Sequence, residues 1–160
     1  MRIAKLLSVL LALTALVAGP ARADTTEVVR VYHQAVSPIS TTGSGVGTVR
    51  TFFTPIAVNG TAADNQYLTG TLTTLAQNVT DGLELRGANL TFVFGSEENQ
   101  LVVGGVSLYP PAGATLAPGQ RTVRPVIGGS GIYAGARGQV VAVNMGPAGW
   151  THTFRITLPD

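Results

Sequence analysis

The chain has 160 residues, with ten basic and eight acidic side chains, two histidines and no cysteine. Absence of cysteine excludes a thiol nucleophile, a disulfide framework and thiolate metal sites. Three of the basic residues (Arg2, Lys5 and Arg22) fall in the first 23 positions, so the remainder is slightly acidic and has no lysine. That excludes lysine Schiff-base chemistry and removes the basic footprint a nucleic-acid partner would need.

Residues 1–23 read as a secretory signal peptide. Arg2 and Lys5 give a positive start, Leu6 to Ala18 is apolar and uncharged, and Ala21-Arg22-Ala23 has the form of a cleavage site. The apolar run is too short to be a membrane anchor. Cleavage after Ala23 predicts a secreted or periplasmic protein of 137 residues, enough for one domain at 24–160. That part holds 17 Val, 19 Thr and 19 Gly, a β-protein composition rich in turns.

Period-two alternation then recurs along the chain, with no convincing helical period. Glu27 to Ala35 places Val29, Val31, His33 and Ala35 on one face. A turn at Ser40–Gly45 precedes a strand at Val46–Thr54, and Pro55–Asp64 reads as a loop. Tyr67–Asn78 is a long strand with a bend predicted at Gly70. Gly82–Phe94 alternates with Arg86, Ala88, Leu90, Phe92 and Phe94 on one face. After a polar turn at Gly95–Asn99, Gln100–Tyr109 is a strand. Pro110–Gln120, with three prolines, is a loop or lid. Arg121–Ile127 and Gly131–Asn144 are strands around Gly128-Gly129-Ser130-Gly131. Trp150 to Leu158 closes the chain, with Trp150, His152, Phe154, Ile156 and Leu158 on one face. The Gly-rich run precedes a strand pattern, so it is no phosphate-binding loop, which needs a helix N-terminus. About eight strands at short spacing predict an all-β chain. A single eight-stranded antiparallel β-barrel removes the exposed edges; a sandwich is the competing architecture.

The run from Arg124 to Val140, Arg-Pro-Val-Ile-Gly-Gly-Ser-Gly-Ile-Tyr-Ala-Gly-Ala-Arg-Gly-Gln-Val, resembles the G-G-[ST]-G-x-[FY]-x-x-A-R-G stretch of dirigent proteins. It is similar in the same way to the G-G-x-G-I-F-x-G-x-x-G-Q-V stretch of allene oxide cyclases. Leu90–Gly95 and Leu101–Gly105 look like the paired strands that precede it, and Thr153-Phe154 like the closing strand, so the resemblance spans Leu83 to Leu158. It implies a calycin-like barrel with an apolar cavity at one end that steers a reactive small molecule without metal or cofactor. It also implies a homo-oligomer, dimer or trimer. The chain departs from the families' patterns: His33 stands where cyclases carry a first-strand glutamate, Ala35 at a nearby asparagine position, and Ile132 where lignan-forming dirigents carry an aspartate. The arginine of A-R-G is kept as Arg137.

Two histidines on apolar faces, His33 late in the first strand and His152 early in the last, are predicted to meet at one barrel end. An imidazole there suits acid–base work near neutral pH; the plainer alternative is two core histidines satisfied by backbone or water. No third ligand at metal spacing accompanies them. The catalytic set is therefore His33, His152 and Arg137, with Arg137 an anion or enolate stabiliser by resemblance. Glu84 and Arg86, two apart on one face, could stack with them. The predicted substrate-binding set is Arg86, Phe92, Phe94, Ser107, Tyr109, Trp150 and Phe154. The expected function is a cofactor-free isomerase or cyclase, or dirigent-type stereocontrol, acting on an apolar substrate. The rival readings are a secreted lipocalin-like carrier and a barrel filled by its own side chains.

Overall fold

The computed structural model describes residues 24–159; the signal-peptide reading lies outside these residues. Ten strands form one antiparallel sheet: β1 (Thr25–His33), β2 (Ser40–Thr42), β3 (Val49–Val58), β4 (Thr61–Ala76), β5 (Glu84–Phe94), β6 (Gln100–Val103), β7 (Val106–Tyr109), β8 (Arg121–Ser130), β9 (Arg137–Asn144) and β10 (Trp150–Leu158). The order β1-β10-β9-β8-β6-β5-β4-β3 closes on itself through β1–β3 pairing. β6 and β7 both pair with β5 and make one stave interrupted at Gly104-Gly105. β2 is a short edge piece on β3. The result is a closed eight-stranded antiparallel barrel.

Closure follows from the alternation. Every stave sends every second residue inward, and the interior is where apolar area leaves water. Val29, Phe92, Leu101, Val103, Val140, Phe154 and Ile156 are all buried there. The register aligns Val29 with Phe154 and Phe154 with Val140, so one inward layer runs across three strands. Phe154 meets Phe92 edge-on at 4.9 Å between ring centroids. Phe94 and Tyr133 pack at 4.8 Å near the end where β5 finishes. We call this filled end the lower one. The upper end carries His33, Trp150, Asn144 and Glu84.

β4 runs unbroken through Gly70, where a bend was expected, and the glycine there has a steric cause. Gly70 has φ +143°, and a Cβ there would fall on the Asn89 carbonyl oxygen of the paired strand. Only a residue without a side chain lets β4 and β5 approach so closely while the sheet curls.

Two expected boundaries need correction. Pro55–Asp64 is not a loop. β3 runs on to Val58 and β4 starts at Thr61, joined by Asn59-Gly60 with φ +49° and +88°. Asn-Gly is the dipeptide such a two-residue hairpin demands. Pro55 is accommodated where the register shifts between Pro55 and Ala57. The second correction is at Gly131, where one 3-10 turn, Gly131–Tyr133, replaces the start of a strand. β8 instead continues through Ser130 and β9 begins at Arg137. Ser130 Oγ donates to the Glu98 carbonyl at 2.6 Å and the Ile132 N–H donates to Asn99 Oδ1 at 3.1 Å. A Cβ on Gly131 would strike that same Asn99 side chain. The Gly-rich run is thus a staple onto the 95–99 turn, and it swings Tyr133 inward to plug the lower end.

Phe154 is fully buried at the centre of this packing. Phe154→Ala is expected to cost about 3–5 kcal/mol, measured as a lower urea midpoint with an unchanged slope.

Candidate active site at the upper end of the barrel

β1 and β10 pair so that Val31 faces His152 and His33 faces Trp150. His33 and His152 are therefore inward diagonal neighbours on adjacent staves. Their Nε2 atoms lie 3.0 Å apart, and both rings are buried. His33 Nδ1 lies 2.7 Å from the Gln34 carbonyl oxygen, which can only accept. Hydrogen-bond logic then fixes both tautomers in the neutral pair. His33 carries its proton on Nδ1, its Nε2 accepts, and His152 donates from Nε2. The His152 Nδ1 lone pair is left with no hydrogen-bond partner among the described residues.

Burial lowers the His152 pKa well below the ordinary imidazole value, and His33 and the positive charge of Arg124 lower it further. Burial also lowers His33, against the opposing pull of the Gln34 carbonyl. Both rings are therefore neutral near pH 7, and the His152 Nδ1 lone pair is free to accept.

The histidines form one wall of a cavity of about 90 Å3 at this end. Phe52, Leu68, Leu72 and Leu90 give it an apolar side. Trp150, Tyr109, Val36 and Thr115 complete the lining. Phe92 stands beneath, its ring 5.1 Å from that of His152. This space is smaller than the roughly 150 Å3 cavity that admits benzene. It takes part of a ring or a chain end, and a larger ligand must extend under or displace the 110–120 loop.

Beside the cavity lies a buried charged cluster. Glu84 Oε2 accepts from Arg86 Nε at 3.0 Å and Nη2 at 2.8 Å. Glu84 Oε1 accepts from the Ala112 N–H at 3.0 Å. Arg86 donates onward to the carbonyls of Ala114 at 2.9 Å and Pro110 at 3.0 Å. The pair thus ties the 110–120 loop over the barrel end. Burial alone would raise the Glu84 pKa, but the hydrogen bonds from Arg86, Gln77 and the Ala112 amide, with the Arg86 charge, hold it below its usual value. Arg50 donates to Thr74 Oγ1 at 3.0 Å. Arg124 donates to Thr122 Oγ1 at 2.7 Å and to the Tyr109 oxygen at 2.9 Å.

The sequence-derived residues divide accordingly. His33, His152, Tyr109 and Trp150 line the cavity; Phe92 does not, and packs against His152 in the core with Phe154. Arg86 is buried in the ion pair rather than on the cavity wall. Phe94 packs on Tyr133 in the filled end, away from the histidines, and Ser107 is half-buried opposite Arg86. Arg137 needs correction as a cavity residue. It opens β9 at the lower end, points outward, is 59% exposed and pairs with Asp24. The A-R-G match placed it in a strand, but its parity there is outward, next to the inward Ala136. Arg50 and Arg124 were missed. The alternation Thr122, Arg124, Val126 was the available signal for Arg124.

Among the described residues no group of three or more His, Asp or Glu side chains could hold a metal ion. No protein-family profile matches the sequence. No curated protein matches it either. Solved structures do. A pterocarpan synthase dirigent protein aligns with 94% of this chain and 96% of its own, at 16% identity and a TM-score of 0.56. A pyocyanin demethylase aligns over 82% and 99%, at 19% identity and a TM-score of 0.54. A Diels-Alderase from Streptomyces koyangensis aligns over 84% of this chain and 64% of its own, at 14% identity and a TM-score of 0.55. The chain therefore has the barrel fold of dirigent proteins and of these two enzymes.

Two outcomes check the site. Both imidazoles take up protons more readily unfolded than folded, so stability is full above about pH 6.5 and falls as pH drops below it. His152→Phe is expected to flatten the urea midpoint between pH 7 and pH 5. Arg137→Ala, at an exposed pair, is expected to change stability by no more than about 1 kcal/mol.

Proposed function

We propose that the protein is an exported, cofactor-free isomerase or cyclase that binds a compact apolar substrate at the upper end of the barrel. The observation that carries this is the neutral His152 imidazole with a free Nδ1 lone pair on the wall of an apolar cavity. A positioned neutral imidazole is free to accept a proton at pH 7, and its lowered pKa makes it a weak base suited to an acidic substrate proton. His152 takes a proton at Nδ1, and its Nε2 proton can pass to His33, whose cation keeps the Gln34 carbonyl as partner. The proton returned at a second substrate atom completes an isomerisation. The apolar wall of Phe52, Leu68, Leu72, Leu90 and Trp150 confines the substrate, which limits the geometries in which it can close. The neighbours named above as a dirigent protein and a Diels-Alderase support a role in steering how a small molecule couples or cyclises. Dirigent-type stereocontrol of an externally generated radical is the variant of this reading in which His152 only positions the substrate. Export rests on residues 1–23, and a homo-oligomer, dimer or trimer, belongs to the same proposal.

Native mass spectrometry of the protein purified without detergent from its own culture, with chromatography of the released small molecule, tests this. The wild type is expected to carry the product and His152→Gln its isomeric precursor, separable by retention time. An identical compound on both proteins makes the barrel a carrier. An empty protein that takes up no apolar dye overturns the cavity as a binding site.

A further inference from the structure

We propose that the ligand is a compact apolar carboxylic acid, bound as its anion at Tyr109 with Arg124 behind it. This rests on the upper cavity being the ligand site and adds the charge of what enters.

The upper half of the barrel is positively charged without a full set of partners. Arg50, Arg86 and Arg124 are buried there with a single buried carboxylate, Glu84. Glu84 grips Arg86 directly and reaches Arg50 through Thr74 Oγ1. Among the described residues Arg124 pairs with no carboxylate. Its Nη1 and Nη2 go to Thr122 and Tyr109, and its buried Nε has no partner at all among the described residues. A guanidinium 4% exposed without an anion is costly to a fold, and removing such a charge is often harmless or stabilising. A chain that keeps one beside a cavity has a reason in what the cavity takes.

Tyr109 connects that charge to the cavity. Its oxygen accepts from Arg124, so its own proton remains to be donated, and no acceptor for it is present among the described residues. Its ring lines the cavity and is held against the Arg86 guanidinium, 4.7 Å from the ring centroid. The phenol is thus an oriented donor in a field of two buried cations. A carboxylate suits it best, because a carboxylic acid arrives ionised at neutral pH, whereas a phenol or enol arrives neutral. On the opposite face, the apolar wall from Phe52 to Leu90 and the free imidazole of His152 receive the body of the acid.

Isobutyrate and isobutyramide, alike in shape, differing in charge and small enough for the cavity, are the probes. A change in the fluorescence of Trp150, the chain's single tryptophan and part of the cavity wall, reports binding. Wild-type protein is expected to bind isobutyrate about ten-fold more tightly than isobutyramide. Arg124→Met and Tyr109→Phe are expected to bring that ratio near one without weakening isobutyramide, and Arg124→Met to keep or raise the thermal midpoint. Isobutyramide bound as well as isobutyrate by the wild type, or a preference that survives in Arg124→Met, overturns the inference and leaves the cavity intact. A collapse in the midpoint of Arg124→Met assigns Arg124 to closing the seam between β7 and β8, and Tyr109→Phe then decides the question. No response to either probe overturns the cavity reading together with this inference.

Discussion

One buried ion pair organises the upper end of this barrel. Glu84 and Arg86 sit two apart on β5, both only 2% exposed, and their side chains face inward side by side. Each then reaches a different part of the chain. Glu84 takes the Ala112 amide, and Arg86 gives hydrogen bonds to the Ala114 and Pro110 carbonyls. A loop with three prolines cannot satisfy its own backbone by a ladder, so it borrows these charged partners. Removing either partner would strand the other charge in a low-dielectric interior, a cost of about 3–5 kcal/mol. Thr115 and Leu116 are held over the barrel end by that arrangement, and Thr115 becomes part of the cavity wall.

The barrel interior divides into two halves with different chemistry. Below the level of Phe92, aromatic and aliphatic side chains fill the space, and Tyr133 closes it from the Gly-rich staple. Above it, two imidazoles and the charged cluster join the apolar wall around a cavity. An eight-stranded barrel has room for side chains or a small cavity, and this chain fills the lower half and leaves a cavity in the upper. The burial of His152 follows from its place between these halves. It packs on Phe92, and its burial, with His33 beside it and the charge of Arg124 nearby, disfavours its charged form.

Much of this was readable in the sequence. Period-two alternation located most staves, and the positions of His33 and His152 near the ends of the first and last strands placed them together. The match around the Gly-rich run carried the barrel fold correctly but drew Arg137 into the site, because a motif fixes a residue's position and not the face it points from. Arg124, in the same run, is the inward arginine. It went unread because a charged residue next to Pro125 suggests an edge, whereas burial of three arginines depends on partners from β4, β5 and β7 that no local pattern reveals. The Asn59-Gly60 hairpin was masked by Pro55, whose missing N–H is accommodated by a shift in register. The size of the cavity was also out of reach, since it depends on how far the 110–120 loop is drawn down by Glu84 and Arg86.

The account turns on the state of two imidazoles, and 15N NMR of the histidine ring nitrogens at pH 7 reads that state directly. The account predicts two neutral rings, with the His33 proton on Nδ1, the His152 proton on Nε2, and an unprotonated His152 Nδ1 whose shift is unchanged down to well below pH 6.5. A charged ring at pH 7, or a His152 proton on Nδ1, would contradict it and remove the base from the cavity.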